Sequence, residues 1–286
     1  MSNGLEFRRS RVVFVSRLSS YSLLLGLAIQ FLLRAVDAQS TSRAELTLGV
    51  QAYQQSKFEE AERHFVKAIE QDADNATAHM YLATVYLQQY IPGAETPDNE
   101  SFAERAIEQY KAALNLDLSS TDKVNATKGI GYLYLQMKNL DDSRSFYLRA
   151  TELDPNDPEA YYSIGVIDWM LTYQPRMDAR AKLNLGPETP LSSKNKKVCA
   201  QLHDNNWANI ADGIDNLNKA IQLRPDYDDA MAYMNLMYRE RADVQCDDPA
   251  ARATDLKRAD EWVDKTMATK RLKAEKANAQ TQRNQQ

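Results

Sequence analysis

One spacing recurs along this chain and leaves little choice of architecture. Ala61, Phe65 and Ala68 stand at A-x₃-F-x₂-A, and Ala106, Tyr110, Ala113 and Ser143, Tyr147, Ala150 repeat it. Looser copies stand at Gly213, Leu217, Ala220 and at Ala259, Val263, Thr266. Positions i, i+4 and i+7 share one face of an α-helix. The small residues let a second helix come close, and the large one fills the gap between them. A unit of this kind buries its face against copies of itself, which means stacked helical hairpins. β-branched runs with period-two alternation are scarce, which argues against a sheet core. The chain reads as a platform rather than a catalyst.

The wider pattern resembles the tetratricopeptide repeat, a 34-residue helix–turn–helix family. The first repeat carries Leu48-Gly49, Tyr53, Phe58, Ala61, Phe65 and Ala68; the second, Leu82-Ala83, Tyr86, Ala106, Tyr110 and Ala113. The third carries Ile130-Gly131, Tyr134, Leu140, Ser143, Tyr147, Ala150 and Pro155. Repeat four opens on Tyr161 and Ile164-Gly165 and closes on Gly213, Leu217, Ala220 and Pro225. Repeat five opens on Met231, Met234 and Tyr238 and closes on Leu256, Ala259 and Val263. The resemblance implies an all-α, right-handed α-solenoid of about five hairpins over residues 39–273, of the type found in exported bacterial proteins. Asp157-Pro158-Glu159 and Asp248-Pro249 read as helix starts: an N-cap, then proline at the first helical position. The polar stretch 274–286 lacks periodicity and is expected to be disordered.

Three repeats carry extra residues, near 88–101, 171–206 and 242–249, each at the turn inside a hairpin. Equivalent turns of a solenoid lie along one edge, so one edge is elaborated. Cys199 lies in the second of these insertions and Cys246 in the third. The repeat frame sets those loops side by side, and a Cys199–Cys246 disulfide is expected; two free thiols are the alternative.

Residues 1–38 have the order of a secretory signal. Arg8, Arg9, Arg11 and Arg17 precede an apolar run from Leu23 to Leu33, and Val36-Asp37-Ala38 offers small residues before a cut ahead of Gln39. A periplasmic or secreted protein is expected, with no stable membrane insertion after cleavage. The alternative is an inner-membrane anchor through an uncleaved leader. The full chain carries a net charge of −5, and removing a leader of net +3 leaves −8. That acidity disfavours nucleic acid as a partner.

No catalytic set, metal-ligand spacing or cofactor motif emerges. None of His64, His79 and His203 sits in a two-histidine metal spacing or beside a cysteine, and only a chance approach of His64 and His79 on successive helices stays open. Chance accounts for the N-x-[ST] triplets at Asn75, Asn99 and Asn125. What the resemblance does imply is a groove. Carried over to this chain, its lining includes Tyr53, Met80, Leu87, Tyr132, Leu135, Tyr162, Val166, Trp169 and Met170. Of the lysine–asparagine set with which some of these modules clamp a carboxylate, Lys128 alone matches. Two uses of the groove stay open: docking an apolar or helical segment of another protein, or being filled by the chain's own 171–206 insertion. Function is thus expected to be a non-catalytic protein-binding scaffold, or else a subunit that stacks end to end into oligomers or filaments.

Overall fold

The computed structural model describes residues 37, 39–186, 189–191 and 195–284. Apart from Asp37, the expected signal segment lies outside them. Among the described residues the fold is all-α: consecutive hairpins of solenoid type. The first helix, α1, covers residues 39–54. It is followed by α2 (Phe58–Gln71), α3 (Ala76–Gln89), α4 (Pro97–Leu114), α5 (Ser120–Gln136), α6 (Leu140–Leu153), α7 (Pro158–Lys182), α8 (Lys196–Leu223), α9 (Asp228–Asp243) and α10 (Pro249–Asn284). One compact unit ends at Leu118 and a second begins at Ser119. None of the described helices is long and apolar enough to cross a membrane.

Helix starts follow local chemistry. Side chains of Asn75, Thr96, Ser119, Asn139 and Asp157 each accept a backbone N–H from the first turn of the helix they precede. Thr96 and Asp157 are followed by proline at the first helical position. The Asn75 and Asn99 side chains are thereby committed to structure. Asn75 caps α3 and donates to the Ser42 hydroxyl, while buried Asn99 donates to the carbonyls of Ile91 and Ala94 and accepts from the Ile91 N–H, closing the α3–α4 turn.

In the first unit the repeated trio forms the seam. Ala61, Phe65, Ala68, Ala106, Tyr110 and Ala113 are all buried. A Cβ built on Gly49 of α1 would stand 2.5 Å from the Phe65 ring, so only glycine permits this approach of α1 to α2. In the second unit Ser143, Tyr147, Ala150, Leu217 and Ala220 are buried likewise, and Gly165 of α7 meets Leu217 of α8 at the same 2.5 Å. The fifth copy departs: Ala259 and Thr266 are buried but Val263 is 40% exposed. No sixth hairpin lies beyond α10 among the described residues to cover it.

The 171–206 stretch is partly helical. α7 continues through Pro175 to Lys182, and α8 starts at Lys196. Pro175 donates no helical N–H, and one turn before it the Asn206 amide donates to the Thr172 carbonyl. The stretch is fastened to the end of α9 in three ways. The expected Cys199–Cys246 disulfide is formed, with Cα atoms 5.6 Å apart. Arg176 makes a bidentate pair with Glu240 and a further bond to Asp243, and Arg180 joins Asp243 and the carbonyls of Gly186 and Thr189. Leu191, Leu202 and Val244 are buried around the disulfide, with Leu183, Leu185 and Val198 packed against them.

The C-terminal stretch corrects one expectation. Residues 274–284 continue α10 as an exposed helix instead of lacking structure. Alanine, lysine, glutamate and glutamine are strong helix formers, and the preceding turns of α10 remove the cost of nucleation. Hydrophobic periodicity signals burial, and its absence there does not signal coil.

Candidate functional site

Each residue expected to line the groove is half-buried, neither in the core nor fully open. They fall in both units. Tyr53, Met80 and Leu87 belong to the first, on α1 and α3; Tyr132, Leu135, Tyr162, Val166, Trp169 and Met170 belong to the second, on α5 and α7.

In the first unit these side chains are mostly packing elements. Tyr53 lies against Phe58 and Tyr81 with ring centroids 5.9 and 6.2 Å away, and Met80 packs on Ala113 and Leu118. His64 is bound to Glu45 at 2.6 Å, and His79 bonds Gln109 and the Ala73 carbonyl.

In the second unit Tyr162 and Trp169 join a larger aromatic array, while Leu135 packs on the cluster of Tyr147, Ala150 and Ile164. Tyr162 meets Tyr227 at 4.9 Å and Tyr233 edge-on at 5.7 Å. Trp169 meets Tyr233 edge-on at 5.5 Å and its own neighbour Tyr173 at 4.7 Å. Edge-to-face geometry sets the positive ring edge of one against the negative face of the next. Burial pushes the phenols of Tyr162, Tyr227 and Tyr233 up, Tyr227 to about 12, and the carboxylate of Asp229 adds to the rise in all three. These groups stay neutral and apolar-faced across the physiological range. Sequence reading missed Tyr173, Tyr227 and Tyr233. The last two sit in the degenerate fifth repeat, where the methionines drew attention; the recurrence of tyrosine at 227 and 233 was the available signal.

One end of this array is ionic. The Lys128 ammonium donates to Asp157 at 2.6 Å and Glu159 at 3.1 Å, and Glu159 also accepts from Arg224. Lys128 is therefore a structural tie between α5 and the start of α7, and its charge is already met. Beside it a cavity of about 320 Å³ is lined by Ser120, Asn125, Lys128, Asp154 and Asp157 among others. Deeper in the seam, Asp168 of α7 is fully buried. Its Oδ1 accepts from Arg144 Nε at 2.6 Å, Arg144 reaches on to Asp212 of α8, and Asp168 Oδ2 has no hydrogen-bond partner among the described residues.

Comparison with known proteins agrees with the helical-repeat fold. Residues 46–91 match the tetratricopeptide repeat model, and residues 131–171 match a second model described as TPR repeat. The photosystem I assembly protein Ycf3 of Synechococcus sp. (strain CC9605) is 30% identical over 104 residues, 36% of this chain and 54% of that protein. The match thus spans about half the length of that curated relative. Among solved structures, the MamA protein superposes with a TM-score of 0.56 at 16% identity, covering 82% of this chain and 94% of that one. MamA from Desulfovibrio magneticus RS-1 gives 0.53 at 15% identity, covering 81% and 96%. YrrB, a TPR protein whose structure is described as having an unusual peptide-binding site, gives 0.50 at 14%, covering 80% and 90%. At these identities the structural likeness is one of fold.

Proposed function

We propose that this chain, which carries tetratricopeptide repeats, is an exported scaffold without catalysis of its own that docks an apolar or helical segment of another protein. The observation that carries the reading is the array of Tyr162, Trp169 and Tyr233, half-buried and held edge to face across α7 and α9. Half-buried aromatics on rigid helices are the kind of anchor that dominates binding energy at protein interfaces. The Ycf3 relative is described as an assembly protein, and that supports a role in bringing other proteins together. The cysteine-poor chain with its one disulfide, and the order of residues 1–38, support an oxidising, extracytoplasmic setting.

The test is site-specific crosslinking in the native cell. A photoreactive residue at Met170 should give adducts that are lost in Trp169→Ala, while one at Leu148, exposed on α6, should not give them. Identical adducts from both positions would overturn the reading. The mature N-terminus tests the export part: a start at Gln39 is expected, and an intact leader in the membrane fraction would favour the anchored form.

A second reading, self-association, is favoured by α10. Val263 and Met267, 40% and 61% exposed, sit beside its buried face where a further hairpin would pack. Sedimentation of the mature chain separates the two: a monomer unaffected by salt removes self-stacking.

A further inference from the structure

Resting on the docking reading above, we infer that the segment received by the α7–α9 face is cationic, with an arginine or lysine side chain seated over Tyr162 and Tyr233 beside Asp229. Three observations carry this. Asp229 and Tyr233 stand at i and i+4 on α9, so carboxylate and ring share one face a turn apart. Glu159 and Tyr162 stand at i and i+3 on α7 in the matching place, and the two rings touch at 5.7 Å. Each ring is thus preceded by an acid at the helix start.

The second observation is occupancy. The array already seats guanidinium groups at both of its ends. Arg224 lies over the Tyr227 ring at 4.4 Å, and Arg176 lies 5.5 Å from the Tyr173 centroid. Over the rings between them, Tyr162, Trp169 and Tyr233, no cation lies among the described residues, although they are half-open to solvent. Ring faces carry the negative part of the quadrupole, and a cation over them gains most where water is partly excluded.

The third observation is charge. Lys128 and Arg224 are both spent on Glu159, and Lys128 also on Asp157. Lys270 and Lys273 are spent on Asp228. Exposed Asp229 forms no ion pair among the described residues. A cationic partner would complete the set, and an anionic one would meet the Asp229 carboxylate together with the ring faces. The lysine that could have served a carboxylate is neutralised, so the charge preference of this face is the reverse of a carboxylate clamp.

The experiment uses the mature chain with Trp207→Phe and Trp262→Phe, so that Trp169 alone reports. Three helical peptides share leucines at i and i+4 and differ at one flanking position: arginine, glutamine or glutamate. The arginine peptide should bind about 5-fold or more tighter than the glutamine peptide at low salt, and the glutamate peptide weakest, with the ratio falling towards one near 0.5 M salt. Asp229→Asn should bring the arginine-to-glutamine ratio close to one and leave the glutamine peptide unchanged. Circular dichroism of that surface variant should match the parent. Equal binding of the arginine and glutamine peptides would overturn the cationic assignment and leave the docking reading standing. Failure of all three to perturb Trp169, together with crosslinking indifferent to Trp169→Ala, would overturn both.

Discussion

Replacing Asp168 with asparagine isolates the most strongly displaced carboxyl in the second unit. Burial raises it, Arg144 draws it back, and Asp212 raises it again, with the outcome that it moves from 3.8 to about 6. An acid that binds its proton more tightly in the folded than in the unfolded chain makes the native state take up protons. Stability therefore rises as pH falls through about 6, and the gain is complete below about 4. At ~1.4 kcal/mol per tenfold in proton affinity, the ionised carboxylate costs about 3 kcal/mol above pH 6 relative to its neutral form. Asparagine copies the neutral form in size and can still accept from Arg144. The variant should be more stable than the parent at pH 7.5 by up to about 3 kcal/mol and nearly equal to it at pH 4. Urea midpoints of both proteins across that range give the difference directly, and the difference cancels the titrating groups that are not coupled to Asp168. A gap that does not change with pH, or a variant less stable at pH 7.5, would refute the argument that desolvation outweighs the Arg144 pair.

Other outcomes follow from the same geometry. Cys199→Ala with Cys246→Ala frees a 47-residue separation in the unfolded chain, and by loop entropy should lower stability by about 4 kcal/mol in urea titration. Gly165→Ala sets a Cβ 2.5 Å from Leu217; a loss of roughly 1–3 kcal/mol is expected, partly recovered by adding Leu217→Ala, and a neutral result would show that α7 and α8 slide freely. Arg176→Met leaves Glu240, 1% exposed, without its bidentate partner; thermal unfolding should register a loss of about 3–5 kcal/mol, reduced when Glu240→Leu is added. Ending the chain after Lys273 removes only exposed residues of α10 and should change the urea midpoint by no more than about 0.5 kcal/mol of stability.

The hairpins were legible because their signal is local and repeated. Ala61, Phe65 and Ala68 announce a buried stripe within eight residues, and the phase of later copies led to the cysteine pair. Val263 shows where a repeat pattern stops carrying meaning, since its burial depends on a neighbour the pattern presumes. The ionic features were not legible. Arg176 and Glu240 are 64 residues apart, and Arg144 and Asp212 are 68 apart. In sequence each reads as one more charge on a solvated face. The aromatic array was half legible: Tyr162 and Trp169 came from the repeat frame, whereas Tyr233 comes from a helix whose own copy of the frame is worn.

The covalent tie from α8 to the α9–α10 turn has a mechanical consequence. A chain of hairpins pulled from its ends normally unzips one hairpin at a time, starting at a free end. Here Cys199 and Cys246 enclose most of α8 and all of α9. Tension applied at the C-terminus can strip α10, and at Cys246 it passes through the disulfide to Cys199 and bypasses the residues between them. At ~3.5 Å per extended residue, the 47-residue separation withholds roughly 160 Å of contour length from the pull. Under load α9, which bears Tyr233, would carry no tension after the last helix had gone, and only a reductant would release the hidden length.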